Sequence, residues 1–228
     1  GTFSGSVLKS SLLGKYAFNA VFLENPNYDD DHREQPVAFN YATGDYNNNG
    51  VLDLAVAVVP EGQGQFCLVG YVLYDLKNQV TNVNLNTLTL PQGAAIYNFA
   101  AGSCYATGRS DSVTPYFSSG DINGDGIADL LVSGIALYNE MTGNYSIASY
   151  VAFGADGGFA NNLVLSEMTP DQGLNFNITS SNSSVGGISA LGKVDNSGRD
   201  AFLMTDEYGV THIVQLAGSS AEGVAEAI

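Results

Sequence analysis

Residues 119–134 read SGDINGDGIADLLVSG, an acidic, glycine-rich loop that runs directly into an apolar segment. Two further segments share this pattern, TGDYNNNGVLDLAVAV at 43–58 and LGKVDNSGRDAFLMTD at 191–206. In each, a leading glycine is followed six residues later by a second glycine and then by an apolar run. The leading glycines, 76 and then 72 residues apart, are Gly44, Gly120 and Gly192. Self-similarity at a nearly fixed spacing predicts repeated structural units.

Between these loops, short apolar or alternating stretches are separated by turns rich in Gly, Asn, Asp and Ser. The stretches contain many β-branched and aromatic residues, which is typical of half-buried strands. Each unit is therefore predicted to contain a strand, an acidic loop, a second strand and one or two further strands. We expect an all-β fold, a propeller-type array of about three four-stranded antiparallel blades.

The repeat spacing predicts a single domain over residues 1–228. Repeat 1 is expected at about 37–110, repeat 2 at about 111–183 and repeat 3 at about 184–228, while residues 1–36 could supply strands of a further blade. Propellers close with about four to eight blades, so three units cannot complete a ring. Three arrangements remain open: part of a longer protein, a ring completed by other chains, or an open array whose edges need a partner.

The loops in 43–58 and 119–134 resemble the FG-GAP and VCBS repeats of integrin α-subunit propellers and of many secreted microbial proteins. The resemblance spans three units and therefore most of the chain, and its specific part is the loop and the strand that follows. It implies that each repeat is a propeller blade, and that the loop between the first two strands of a blade binds calcium.

The loop composition independently matches calcium chemistry. Calcium takes about six to eight oxygen ligands, and a short loop supplies them from side chains at alternate positions, a backbone carbonyl after the glycine, and a closing carboxylate. An EF-hand would need a Glu at position 12, where these loops have Val56 and Val132 inside apolar strands. The candidate ligands of the second loop are Asp121, Asn123, Asp125, the Ile127 carbonyl and Asp129, and those of the first are Asp45, Asn47, Asn49, the Val51 carbonyl and Asp53.

Carboxylate number ranks the loops, because calcium affinity rises with ligand charge. The 121–129 loop has three carboxylates and the 45–53 loop has two, so we expect the former to bind Ca²⁺ more tightly. No metal is expected at 193–200, where Lys193 occupies the first position and its ammonium could replace the cation. One such acidic run would fit a plain turn equally well. Two copies in register favour a structural metal site.

The formal net charge of −16 and the pI near 4.1 argue against binding to nucleic acid or to anionic membrane surfaces. Such a surface attracts divalent cations, although it would also keep a secreted protein soluble. No apolar run approaches the roughly 20 residues of a membrane-spanning helix.

Cys67 and Cys104 could form a disulfide or remain free thiols. The acidic run at 28–34, YDDDHRE, could bind a cation or a basic partner, or be a solvated loop.

Motifs for catalysis are missing from the sequence: there is no G-x-S-x-G elbow and no P-loop. His32 and His212 lack the spacing of a zinc site. The predicted function is therefore an extracellular or cell-surface, calcium-stabilised interaction or structural module for adhesion or assembly. Its partner would be a surface protein or glycan, or further copies of the chain. The alternatives are a carbohydrate-binding, lectin-like propeller and a secreted hydrolase or its non-catalytic subunit.

Overall fold

The computed structural model describes residues 23–24, 40–57, 68–75, 83–84, 88, 90–98, 115–139, 144–180, 187–206, 208–217 and 225–227. The 28–34 run, Cys67 and Cys104 lie outside these ranges, so the hypotheses about them stay predictions. Within the described ranges, no helix has the length and apolar character needed to cross a membrane. The strands are β1 Leu23–Glu24, β2 Tyr41–Gly44, β3 Asp53–Ala57, β4 Leu68–Leu73, β5 Val83–Asn84, β6 Gly93–Tyr97, β7 Tyr116–Gly120, β8 Asp129–Asn139, β9 Asn144–Ala152, β10 Asn162–Val164, β11 Gly173–Ser180, β12 Gly187–Gly192, β13 Ala201–Thr205, β14 Thr211–Leu216 and β15 Ala225–Ala227.

These strands form an all-β protein, which confirms the predicted all-β class, and the described residues include a short 3₁₀ turn at Leu165–Glu167. The propeller arrangement of the sheets stays a prediction. The first sheet has the order β10-β6-β4-β3-β2, the second β11-β9-β8-β7 and the third β12-β13-β14-β15. The short strands β1 and β5 form a separate parallel pair. Each large sheet begins at one edge with the strand that precedes an acidic loop, namely β2, β7 or β12.

The first sheet departs from the predicted four antiparallel strands because a strand of the second repeat joins it. β10 lies in the connection between β9 and β11, and it pairs in parallel with β6. The Ala95 N–H donates to the Asn161 carbonyl at 3.0 Å, and the side chains of Leu163 and Leu165 are buried beside this pair. The connection thus ties the second repeat to the outer edge of the first sheet, a contact that repeat counting does not include.

The main cores lie between consecutive sheets. Along β8, Leu130 and Val132 pack with residues of the first sheet, whereas Leu131 packs with Phe202 and Val214 of the third. Successive residues of a strand point to opposite faces, so one apolar strand serves two interfaces. This explains why β8 is a continuous apolar run rather than an alternating one. The second sheet is accordingly buried on both faces.

The leading strands of neighbouring sheets lie side by side. The Phe117 N–H on β7 donates to Asn40 Oδ1, next to β2, at 2.5 Å. The Ala190 N–H on β12 donates to Ser118 Oγ on β7 at 3.0 Å. Because these three strands are adjacent and each leads into an acidic loop, the loops follow one another at the same ends of the sheets.

One inter-sheet contact occurs twice, once between the first and second units and once between the second and third. The Ala128 N–H donates to the Asp45 carbonyl at 3.2 Å, and the Asp200 N–H donates to the Asp121 carbonyl at 2.7 Å. In both cases position 8 of one loop contacts position 1 of the preceding loop. Consecutive units therefore pack against each other in equivalent ways.

The leading glycines of the first two units are explained by this packing. A Cβ atom on Gly44 would lie 2.7 Å from Ala128 Cβ, and one on Gly120 would lie 3.0 Å from Asp200 Oδ2. Gly192, which leads the third loop, has no such atom within 4 Å. Close approach of the next unit thus requires glycine at the first two positions.

Candidate metal centres

The three acidic loops join the first two strands of their sheets: β2 to β3, β7 to β8, and β12 to β13. Each has a glycine at position 6 with a positive φ, +81° at Gly50, +91° at Gly126 and +89° at Gly198. A side chain would strain this left-handed backbone, which explains the glycine spacing in the sequence. The bend turns the following residue towards the second strand.

In the second loop the polar side chains fold onto the loop's own backbone. Asp121 accepts hydrogen bonds from the Gly124 N–H at 2.8 Å and the Gly126 N–H at 3.1 Å. Asn123 and Asp125 lie side by side, with Asn123 Nδ2 donating to Asp125 Oδ2 at 2.9 Å. The structure thus brings together the side chains at positions 1, 3 and 5 in a single turn.

The first loop repeats this arrangement. Asp45 accepts hydrogen bonds from the Asn49 N–H at 3.0 Å and the Gly50 N–H at 2.7 Å. Asn49 Oδ1 in turn accepts one from the Val51 N–H at 2.8 Å. The Asn49 amide also donates to Asp75, a carboxylate after β4 that the loop pattern did not identify.

The position-9 carboxylates serve a different purpose from the other candidate ligands. Asp53 and Asp129 are both 0% exposed. Asp129 Oδ2 accepts from the Ile122 N–H at 2.7 Å and the Asn123 N–H at 3.2 Å, while its Oδ1 accepts from the Gly154 N–H at 2.9 Å. The carboxylate therefore ties the start of its loop to the end of the third strand.

Asp53 does the same in the first unit, accepting from the Tyr46 N–H at 2.8 Å and the Asp75 N–H at 2.9 Å. Sequence reasoning assigned both carboxylates as metal ligands and did not predict this backbone role. The strand ends that donate to them, Asp75 and Gly154, carry no recognisable local signal. Only the antiparallel pairing of the second and third strands brings them to the loop.

Burial makes both carboxylates costly to ionise. Desolvation raises the pKa of Asp129 to about 7, against the opposing effect of its three backbone N–H partners, and the charge of Asp125 raises it further. Desolvation likewise raises the pKa of Asp53 to about 6, with added repulsion from Asp45 and Asp75. Within the described ranges, neither carboxylate forms an ion pair with Lys or Arg. Each loop thus holds a buried carboxylate that is stabilised by backbone N–H groups rather than by an ion pair among the described residues.

Each of the first two loops is also supported by the following unit through the backbone carbonyl at position 3. The Asn47 carbonyl accepts from the Gly157 N–H at 3.1 Å, and the Asn123 carbonyl accepts from Arg199 Nε at 3.1 Å. In the first loop, Asn48 Nδ2 adds a hydrogen bond to Asp156 Oδ1 at 2.7 Å. The loops are therefore part of the interfaces between units.

The donor set of the first two loops fits calcium, a hard cation that takes carboxylate, amide and backbone carbonyl oxygens. No group of three or more His, Cys, Asp and Glu side chains is placed to hold a metal in the described part of the chain. Asn and backbone oxygens supply two of the five proposed ligands in the second loop and three of the five in the first. Calcium binding therefore stays a prediction for both loops.

The third loop is held by a residue outside the repeat pattern. Lys193 is exposed, and the group at the centre of the loop is the Gln215 amide on β14. Gln215 Nε2 donates to Asp195 Oδ1 at 3.1 Å and to Ser197 Oγ at 2.9 Å. Asp200 faces the second loop, where its Oδ2 accepts from the Asp121 N–H at 2.9 Å. Gln215 lies in an ordinary strand, and the repeat pattern offers no signal for its role.

Comparison with known proteins gives no family assignment: no protein-family model matches the chain, and no curated protein matches it.

Proposed function

We propose that the chain is a calcium-stabilised interaction or structural module of the FG-GAP/VCBS type, with its units arranged as blades of a propeller-type array. The observation that carries the proposal is the repeated hydrogen bond from position 8 of one loop to position 1 of the preceding loop, Ala128 to Asp45 and Asp200 to Asp121. It supports one geometry applied from unit to unit, with an acidic loop at each interface.

Calcium is the cation best suited to the two loops. Both offer only oxygen donors, and both include a fully buried carboxylate, Asp53 or Asp129, among other acidic groups. A divalent ion would offset this negative charge at the point where two units meet. Because ligands from within each loop would surround it, binding would contribute to folding rather than to catalysis.

An extracellular or cell-surface location agrees with this role. Extracellular calcium modules bind with dissociation constants of about 10⁻⁴–10⁻³ M, a range that suits loops with few carboxylates. The net charge of −16 also favours solubility and disfavours nucleic acid as a partner. The proposed task is adhesion or assembly, in which rigid, repeated units present a surface to another protein or to a glycan.

Exposed apolar residues at the two ends of the array support further copies of the chain, or another protein, as partners. Tyr41 is 66% exposed, whereas the equivalent Phe117 of the second unit is 4% exposed against the first sheet. Val194 is 43% exposed, whereas the equivalent Tyr46 and Ile122 are fully buried by the following unit. Each end thus presents a residue whose counterpart is covered inside the array.

The test is thermal unfolding of the full chain in Ca²⁺ and in excess EDTA. Free Ca²⁺ at about 100 times Kd contributes about 2.7 kcal/mol per site. Two such sites would raise Tm by about 10–20 °C in a protein of this size. An unchanged Tm would overturn the structural role of calcium.

A pair of matched variants separates the two loops. Asp125→Asn gives the second loop the side-chain set of the first, and Asn49→Asp gives the first loop the set of the second. Calorimetric titration of the wild type should find two sites of unequal affinity, and Asp125→Asn should weaken the tighter one. Asp195→Asn, in the third loop, is the control and should change neither affinity. Loss of the weaker site in Asp125→Asn would contradict the ranking.

A further inference from the structure

We propose that the side-chain amide of Gln215 takes, in the third loop, the place that the first two loops reserve for a cation. Gln215 Nε2 donates to Asp195 Oδ1 at 3.1 Å, to Ser197 Oγ at 2.9 Å and to the Arg199 carbonyl at 3.3 Å. Asp195, Ser197 and Arg199 occupy positions 3, 5 and 7 of the loop. One donor therefore contacts two side-chain oxygens and one backbone oxygen that correspond to predicted ligands elsewhere.

The oxygens that Gln215 contacts in the third loop correspond to the proposed calcium ligands of the first loop. In the first loop, positions 3, 5 and 7 supply Asn47, Asn49 and the Val51 carbonyl, all oxygen donors for the proposed Ca²⁺. In the third loop the same positions converge on one nitrogen. An amide nitrogen carries two hydrogens, so three acceptors at these distances share them, one through a bifurcated bond. A neutral donor thus satisfies oxygens that a cation would otherwise bind.

A paired change in the sheet makes room for this amide. β13 pairs with β14 from Phe202 opposite Val214, so Ala201 and Gln215 are the next residues along. The corresponding residues are Asp53 and Tyr74 in the first sheet, and Asp129 and Phe153 in the second. The third unit therefore has alanine where the others have a carboxylate and glutamine where they have an aromatic residue, and the glutamine amide contacts the loop.

The remaining charges of the third loop disfavour a cation. Lys193 holds position 1 and Arg199 holds position 7. The Arg199 guanidinium is engaged with backbone carbonyls, through Nε to Asn123 at 3.1 Å and through Nη1 to Leu216 at 3.0 Å. Asp200, the remaining carboxylate of the loop, is turned to the Asp121 N–H at 2.9 Å. Asp195 is then the one carboxylate of the loop that could face a metal, and a single carboxylate supplies too little negative charge and too few oxygen ligands for calcium.

The third loop is accordingly a metal-independent version of the same turn. The comparison with the first two loops rests on the proposed function, whereas the closure of the third loop by Gln215 does not. Because Gln215 donates from within the chain, this closure does not depend on the calcium concentration, whereas the other two loops would.

Hydrogen exchange on the full chain, read out for the amides of 45–53, 121–129 and 195–199, tests the inference. The Asp200 N–H is left out because it donates to the Asp121 carbonyl of the second loop. In the wild type, EDTA should leave exchange at 195–199 unchanged. Gln215→Met, which keeps the length of the side chain and removes its donors, should speed exchange there by about tenfold or more, in EDTA and in Ca²⁺ alike. Thr211→Val, on the same strand but away from the loop, is the control and should have no such effect.

The outcomes are separable. Faster exchange at 195–199 when EDTA is added to the wild type would overturn the role of Gln215, and this measurement does not require any variant to fold. Unchanged exchange there in a folded Gln215→Met protein would overturn it as well. If EDTA leaves exchange in all three loops of the wild type unchanged, the calcium proposal fails, and the Gln215 closure is retained.

Discussion

The second and third acidic loops follow the same turn and are held by different chemistry. In the second, the fully buried Asp129 accepts three backbone N–H bonds, and Asp121 and Asp125 add further negative charge. In the third, Ala201 stands in place of Asp129, and the Gln215 amide donates into the loop from the neighbouring strand. The oxygens at the centre of the loop can therefore be bound by the proposed cation or by a neutral hydrogen-bond donor, and the backbone turn is the same in both cases.

This difference follows the position of each unit in the array. The second loop is covered by the third unit, which contributes Arg199 and Asp200 to it. The third loop has no equivalent cover among the described residues, and its position-2 residue Val194 is exposed. A loop that is closed by its own unit suits a position that no other described unit covers.

The largest effect that would test this comparison is expected from Asp129→Ala. The substitution leaves the N–H groups of Ile122, Asn123 and Gly154 without their acceptor, and each buried unsatisfied donor costs about 1–3 kcal/mol. The free energy of unfolding in EDTA should fall by at least about 3 kcal/mol, measured by urea denaturation. Asp195→Ala, at an exposed position of the third loop, should lower the free energy of unfolding much less, because solvent can replace the lost acceptor. Equal costs would show that the position-9 carboxylate is not the element that separates the loops.

A smaller effect is expected from Gly120→Ala, which tests the packing of the third unit on the second. The added methyl would lie 3.0 Å from Asp200 Oδ2 and 3.3 Å from Asp200 Cβ. Crowding of this kind costs about 1–3 kcal/mol, and the Tm should fall by several degrees. Gly187→Ala is the matched control because its methyl would approach nothing closer than 3.8 Å, and its Tm should be nearly unchanged. If Gly120→Ala left the Tm unchanged, the second and third units would not approach each other as closely as described.

The smallest effect concerns pH and contrasts Asp206 with Asp129. The His212 side chain and the N–H groups of Val210 and Tyr208 hold the pKa of Asp206 below its usual value of 3.8, the reverse of the shift at Asp129. The ionised form therefore stabilises the folded state above the unfolded pKa, and this contribution is lost as the pH falls through the lower folded pKa.

Tm measurements in EDTA between about pH 6 and pH 3 check this. The wild type should exceed Asp206→Asn by a small margin at pH 6, and the margin should shrink towards pH 3. Because Asp206 is exposed, the margin is expected to be the smallest of the three effects. A margin that grows on acidification would contradict the direction of the shift.

Much of the fold could be predicted from the chain because its signals are local. Glycines at position 6 mark a left-handed turn, and the apolar runs that became β8 and β14 mark strands. The repeat spacing located the three acidic loops at the start of each sheet. The fifth strand of the first sheet, β10, could not be predicted, because it pairs with β6, a strand of the preceding repeat that is far from it in sequence.

The sequence by itself determined the all-β character, the three glycine-containing loops and the polar side chains at their positions 1, 3 and 5, since these depend on local composition and on spacing within a few residues. Only the tertiary structure decided what the remaining residues do. Asp129 became a buried acceptor for Gly154, and Gln215 became the donor of the third loop, because antiparallel pairing brings the end of one strand to the beginning of another. The leading glycine at 120 is likewise explained by the unit that packs on it. Contacts of this kind depend on distance in space, which no local pattern of residues encodes.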